Sequence, residues 1–170
     1  INLYKAQFNH VTRMNQNLTL DQLRAINIDN LISIGAHTLT HPILANEDDA
    51  VSEHEIKESL KGLRDILGND TAYFAYPNGI PDLDFGVREK RLLYTHGCKL
   101  AFSTFHCNVN THTDPLSIPR FYISQGTMDV IRMKLFMGRY WDTLRNLKTK
   151  GEKQARSDFK NLISHRLSIS

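Results

Sequence analysis

Residues 30–44, NLISIGAHTLTHPIL, run from a short apolar stretch through a glycine into two histidines and a proline. The first part, NLISIGAH, has the length and near-continuous apolar character of a strand buried in a parallel sheet. His37 and His41 stand just past its C-terminal end, in an i, i+4 relation. At that spacing two imidazoles can face the same way on a helical turn and offer their nitrogens to one metal ion. The alternative is a surface turn that happens to hold two histidines, and the rest of the chain decides between them.

Outward from this stretch, helix and strand alternate. On its N-terminal side, NLTLDQLRAIN predicts a short helix, with Thr19 as N-cap and Gln22 as the capping-box partner. On its C-terminal side, NEDDAVSEHEIKESLKGLRDILG predicts the longest helix. Its acidic start suits the positive end of the dipole, Val51, Ile56, Leu60, Leu63 and Leu67 trace an apolar stripe, and Gly68 closes it. TAYFAYP is a second strand ended by Pro77, FGVREKRLLYTHG a helix stopped by Gly97, and KLAFSTF a third strand. LSIPRFYIS is a fourth, and its internal Pro119 assigns it to an edge or rim. Strands are therefore expected near 31–36, 72–76, 100–104 and 117–123. This alternation predicts an α/β fold with parallel strands, in a barrel or an open sheet, and a site at their C-terminal ends. His37 and His41, the stretch FAYPNG and Arg120 all fall at such ends, which favours the metal reading of the histidine pair.

Composition narrows the function classes. The chain has 170 residues, 41% hydrophobic and 23% charged, enough apolar content for one globular core. A net charge of +3 is too mild to point to nucleic acid. No apolar run is long enough to span a bilayer. Cys98 and Cys107 are separated by KLAFSTFH, with no CxxC spacing; two free thiols are expected, with a disulfide left open. The chain opens on Ile without a signal-peptide pattern, as an excised piece of a longer protein would.

GAHTLTHPIL followed by FAYPNG, with a long acidic-led helix between them, resembles the polysaccharide deacetylases, the NodB-like carbohydrate esterases. The likeness runs from about Leu18 to Ile123. HTLTH is similar to the family's His-(Ser/Thr)-x-x-His metal motif, and FAYPNG to its third motif, the wall of the active-site groove. What the resemblance implies is a partial (β/α) barrel of the glycoside hydrolase/deacetylase type and metal-dependent hydrolysis of an N-acetyl group on a carbohydrate. His37 and His41 would hold a divalent metal, zinc first among the candidates, and Tyr76 and Pro77 would line the substrate groove. The main-chain N–H of Asn78 would help to hold the oxyanion. The implied substrate is an N-acetylated glycan or lipid-linked sugar, and the implied location a bacterial cell envelope, periplasmic or membrane-associated.

The sequence also departs from that family. The first motif, Thr-Phe-Asp-Asp-Gly, which supplies the base and a third ligand, is absent, and no acidic residue precedes Asp21. Ala75 stands where many relatives have an arginine, and Arg120 is the candidate to take over its pairing with the base. The Leu-x-His acid motif has only a loose counterpart in LISH, whose His165 reads as a solvated helical histidine. His10, His54, His96, His106 and His112 lack a motif.

Residues 1–126 are thus expected to form a deacetylase-like domain whose first motif lies upstream. Residues 127–170 are expected to add a basic, amphipathic helical extension. Met133, Phe136, Met137, Tyr140, Trp141, Leu144 and Leu147 form its stripe. Docking on the domain is the favoured role for that stripe, with contact to an anionic membrane surface as the other. Two hypotheses follow: the C-terminal part of a deacetylase, weakly active alone, or a non-catalytic carbohydrate-binding or scaffold domain that kept the fold. A zinc peptidase is a poor fit, because Thr38 stands where His-Glu-x-x-His needs a glutamate.

Overall fold

A computed structural model describes residues 17–28, 31–120, 127–136, 150–151, 154–159 and 161–162. The chain divides into two units, Ile1–Ser33 and Ile34–Ser170. In the first, helix α1 (Leu20–Asn27) starts at Thr19 with the expected capping box. The Thr19 N–H donates to the Gln22 side chain at 2.9 Å, and the Gln22 N–H donates to the Thr19 hydroxyl at 3.2 Å.

The second unit holds α2 (Asp49–Leu67), β1 (Tyr73–Ala75), α3 (Val87–Thr95), β2 (Leu100–Phe102) and α4 (Met128–Phe136), with a 3-10 turn at Leu44–Asn46. Helix α2 is capped by Asp48, whose carboxylate accepts from the Val51 N–H at 2.8 Å, and is closed by Gly68 in the left-handed region. Its inner face differs from the apolar stripe expected from the sequence. Ser52, Glu55, Ile56, Ser59 and Leu60 are buried, whereas Val51 is 40% exposed. The buried set follows the i, i+3, i+4, i+7 rule with Ser52 as its origin, and Val51 lies one position, about 100°, off that face.

β1 and β2 pair in parallel, with Tyr73, Phe74 and Ala75 opposite Leu100, Ala101 and Phe102. The two flanking stretches join through single parallel bridges, Ala36 to Phe74 and Phe102 to Ile118. The longer outer strands expected over 31–36 and 117–123 are therefore single bridges within the described residues, and 121–123 lies outside them. Each limit has a local cause. After Ala36 the chain turns away at Thr38, whose φ is 62°, and after Ile118 comes Pro119, which has no N–H to extend a ladder. Gly35 is needed where it stands, because a Cβ there would meet the Cβ of Tyr73 at 3.0 Å and its carbonyl oxygen at 3.1 Å.

The core lies between these strands and the helices: Ala36, Leu44, Ile56, Leu60, Phe74, Tyr76, Phe85, Leu93, Cys98 and Ala101, with Leu63, Leu92 and Leu116 packed against it. Each fully buried large apolar side chain contributes about 1.5–3 kcal/mol. Two arginines join the layers. Arg64 of α2 donates to the carbonyls of Thr71 at 3.0 Å and His96 at 2.9 Å. Arg88 of α3 reaches the Leu44 carbonyl at 2.7 Å and Asp49 at 2.8 Å. Both cysteines are free thiols, Cys98 buried and Cys107 exposed. Of the C-terminal stripe, Met133 and Phe136 are exposed; Met137, Tyr140, Trp141, Leu144 and Leu147, like His165, lie outside the described residues. Arg156 pairs with the buried Asp84 at 3.1 Å.

Candidate metal and acyl-transfer site

The parallel register puts the ends of neighbouring stretches side by side. His37 follows Ala36, Ala75 ends β1 with Tyr76 just after it, Ser103 follows β2, and Arg120 lies just past the bridge at Ile118. Hydrogen bonds connect these ends. An imidazole nitrogen of His37, Nδ1, lies 2.6 Å from the Ala75 carbonyl oxygen. A carbonyl only accepts, so Nδ1 carries the proton and the Nε2 lone pair is left for another partner. Across the strands, Tyr76 donates its N–H to Phe102 at 3.1 Å, and Arg120 Nε donates to the Ser103 carbonyl at 2.7 Å.

His37 and His41 meet. Their ring centroids are 4.9 Å apart, with the planes at 72°, and both residues are exposed. The turn between them is unusual, since Thr38 (φ 62°) and His41 (φ 64°) are both in the left-handed region. A non-glycine residue there costs on the order of 1–3 kcal/mol and persists only when its surroundings fix it. Thr38 supplies part of that fixing: its hydroxyl donates to the His37 carbonyl at 2.6 Å and accepts from the His41 N–H at 3.1 Å. Glu55 of α2 supplies the rest. It accepts from the N–H groups of Leu39 at 2.7 Å and Thr40 at 3.0 Å, and from the Thr40 hydroxyl at 2.7 Å. Burial alone would push the Glu55 carboxyl up, but these donors outweigh it and hold the group below its ordinary 4.5. Glu55 was missed in the sequence because a glutamate in an acidic-led helix reads as solvent-facing. Its place beside Ile56, three residues after Ser52 on the inner face, is the signal that could have found it.

The second part of the site is the turn after β1. Tyr76 is 1% exposed. Its ring stacks on Phe85 at 3.5 Å with 2° between planes, and its hydroxyl donates to the Leu116 carbonyl at 2.7 Å. Burial, the largest cause, pushes the hydroxyl well above the ordinary tyrosine range, so it stays protonated. Pro77 is buried as well. Asn78 (φ 55°) and Gly79 (φ 81°) then turn the chain. Gly79 donates to the Pro77 carbonyl at 2.6 Å and accepts from the Thr104 N–H at 2.8 Å. Asn78 is exposed, and among the described residues nothing accepts from its main-chain N–H. Arg120 is exposed too, and among the described residues its terminal guanidinium nitrogens have no partner.

Two imidazoles this close, one with its tautomer fixed by a backbone carbonyl, are a donor set that fits a divalent ion. Among the described residues no third His, Cys, Asp or Glu completes a cluster with them.

Solved structures share this α/β scaffold. The deacetylase PplD of Streptococcus pyogenes, solved in complex with acetate, matches at a TM-score of 0.57 and 27% identity over 63% of this chain and 45% of that one. IcaB from Ammonifex degensii matches in fold, at a TM-score of 0.56 and 21% identity over 71% of this chain and 53% of that one. The chain therefore spans about half the length of these structures. No curated protein sequence matches it. The family model described as polysaccharide deacetylase matches residues 4–97, more than half of the 170. The chain belongs to the polysaccharide deacetylase family.

Proposed function

We propose that this chain carries the second and third motifs of an enzyme that hydrolyses N-acetyl groups on a carbohydrate, on a partial (β/α) barrel. The observation that carries the reading is the His37–His41 pair, with rings 4.9 Å apart and His37 fixed through Nδ1. His37 and His41 would hold a divalent ion, zinc first among the candidates. When bound, such an ion supplies Lewis acidity toward water and the acetyl carbonyl.

Except for the base, the rest of the chemistry belongs to the chain's own groups. The Ala75 carbonyl keeps the His37 proton on Nδ1. The Asn78 N–H, unpartnered among the described residues, would donate to the oxygen that becomes negative as the acetyl carbon turns tetrahedral. Arg120, anchored through Nε to Ser103, keeps its terminal nitrogens for an anionic partner such as a carboxylate base. Tyr76 and Pro77 serve as the buried backing of the groove, with Asn78 as its exposed lip. The base itself is not among these residues, since the Thr-Phe-Asp-Asp-Gly motif is absent from the sequence. Losing a general base costs on the order of a hundred- to ten-thousandfold, so the 170 residues alone should work slowly.

The test is acetate release from N-acetylated chito-oligosaccharides with zinc added. Slow release is expected, abolished by chelator and by His41→Ala and reduced in Arg120→Ala. Release that survives chelation and both histidine substitutions would refute the mechanism. Sugar binding without release under any divalent ion would favour the non-catalytic, carbohydrate-binding reading instead.

A further inference from the structure

Glu55 is 6% exposed, and among the described residues no Lys or Arg pairs with it. A buried carboxylate without a cation is costly unless other donors satisfy it. Among the described residues, the hydrogen bonds to this carboxylate come from Leu39 and Thr40, at 2.7 to 3.0 Å. Those two residues lie between the two left-handed ones, Thr38 and His41. A helix side chain thus grips the middle of a turn whose ends are in a conformation that ordinary residues avoid.

We infer that Glu55 is a positioning residue for the histidine pair: by holding Leu39 and Thr40 it fixes the turn, and so sets the ring separation at which His37 and His41 share an ion. This rests on the metal-binding reading proposed above. Glu55 touches neither the ion nor the substrate. Its effect reaches the histidines through the Thr38 and His41 backbone, as a partner behind a ligand orients that ligand.

The experiment is a zinc titration of the full 170-residue chain, followed by NMR through the ring protons of His37 and His41, with amide exchange of Leu39 and Thr40 measured in parallel. Glu55→Ala should speed that exchange and weaken zinc binding by about tenfold to a hundredfold, the range seen when partners behind a ligand are removed. Glu55→Gln should recover most of the affinity. Its remaining oxygen accepts both main-chain N–H groups, and its amide can donate to the Thr40 hydroxyl. Thr40→Val removes one donor only and should shift affinity less, in the same direction; it keeps the claim testable if Glu55→Ala does not fold. Unchanged affinity in Glu55→Ala, with binding lost in His37→Ala, would overturn the positioning role and leave the metal reading standing. Zinc binding that survives both His37→Ala and His41→Ala would overturn the metal reading and this role with it.

Discussion

Replacing Tyr76 by Phe isolates what one hydroxyl contributes to the wall of the site. The ring is retained, so its stacking on Phe85 at 3.5 Å and its packing beside Phe74 should persist. What goes is the 2.7 Å hydrogen bond to the Leu116 carbonyl. A neutral hydrogen bond contributes about 1 kcal/mol net, and a buried acceptor left without a partner costs about 1–3 kcal/mol. Leu116 is half-buried, so water can satisfy part of the orphaned oxygen, and the loss should be about 1.5 kcal/mol. For a chain of this size that lowers Tm by roughly 3–6 °C. Tyr76→Ala removes the ring as well and should cost about 3–5 kcal/mol. Urea unfolding followed by far-UV circular dichroism measures both, with an unchanged m value as the sign that only stability moved. A Phe variant within about 0.5 kcal/mol of the parent would show that the hydroxyl bond is not a net contributor. A Phe variant as damaged as the Ala variant would show that the stacked ring is not what holds the turn.

The remaining expectations concern titration and reactivity. The folded Glu55 carboxyl is held below its ordinary 4.5, so the stability it contributes is present above that pH and is lost as pH falls through the lower folded value. Urea midpoints compared between about pH 6 and about pH 3 should therefore fall less steeply in Glu55→Gln than in the parent, and identical slopes would refute this. Burial pushes the Cys98 thiol up to about 11, whereas Cys107 is exposed. Iodoacetamide at neutral pH should alkylate Cys107 alone in the folded chain and both thiols in urea; fast modification of both in the folded chain would refute the burial of Cys98.

Much of the scaffold was legible in the sequence because it rests on local chemistry. Thr19 with Gln22 and Gly68 mark helix ends through side-chain and backbone preferences that act within a few residues. The strands at Tyr73–Ala75 and Leu100–Phe102 announced themselves as apolar runs between breakers. The histidine pair was singled out by helical spacing; its rings do meet, but across a turn with Thr38 and His41 in the left-handed region rather than on a helical turn. What escaped is set by contacts distant in sequence. The apolar stripe placed Val51 inside, yet the helix turns its Ser52 and Glu55 inward, Glu55 to accept from the Leu39 and Thr40 N–H groups of the turn at 38–41. Tyr76, expected to line the groove, spends its ring on Phe85 and its hydroxyl on Leu116, partners that no local pattern reveals.

The turn after β1 gives two adjacent residues opposite kinds of freedom. At Gly79 a Cβ would lie 3.1 Å from both the Thr104 nitrogen and the Tyr76 carbonyl oxygen, so a side chain there would press on two backbone atoms as well as strain a φ of 81°. At Asn78 the side chain is exposed while its peptide plane is held by the turn around it. An N–H points where its peptide plane points, whatever side chain the residue carries. On the proposed function, what the rim offers a sugar at position 78 can therefore change without re-aiming the donor. Each such change costs only the roughly 1–2 kcal/mol by which other residues dislike a left-handed backbone. Specificity can drift there while the electrostatic element stays in place.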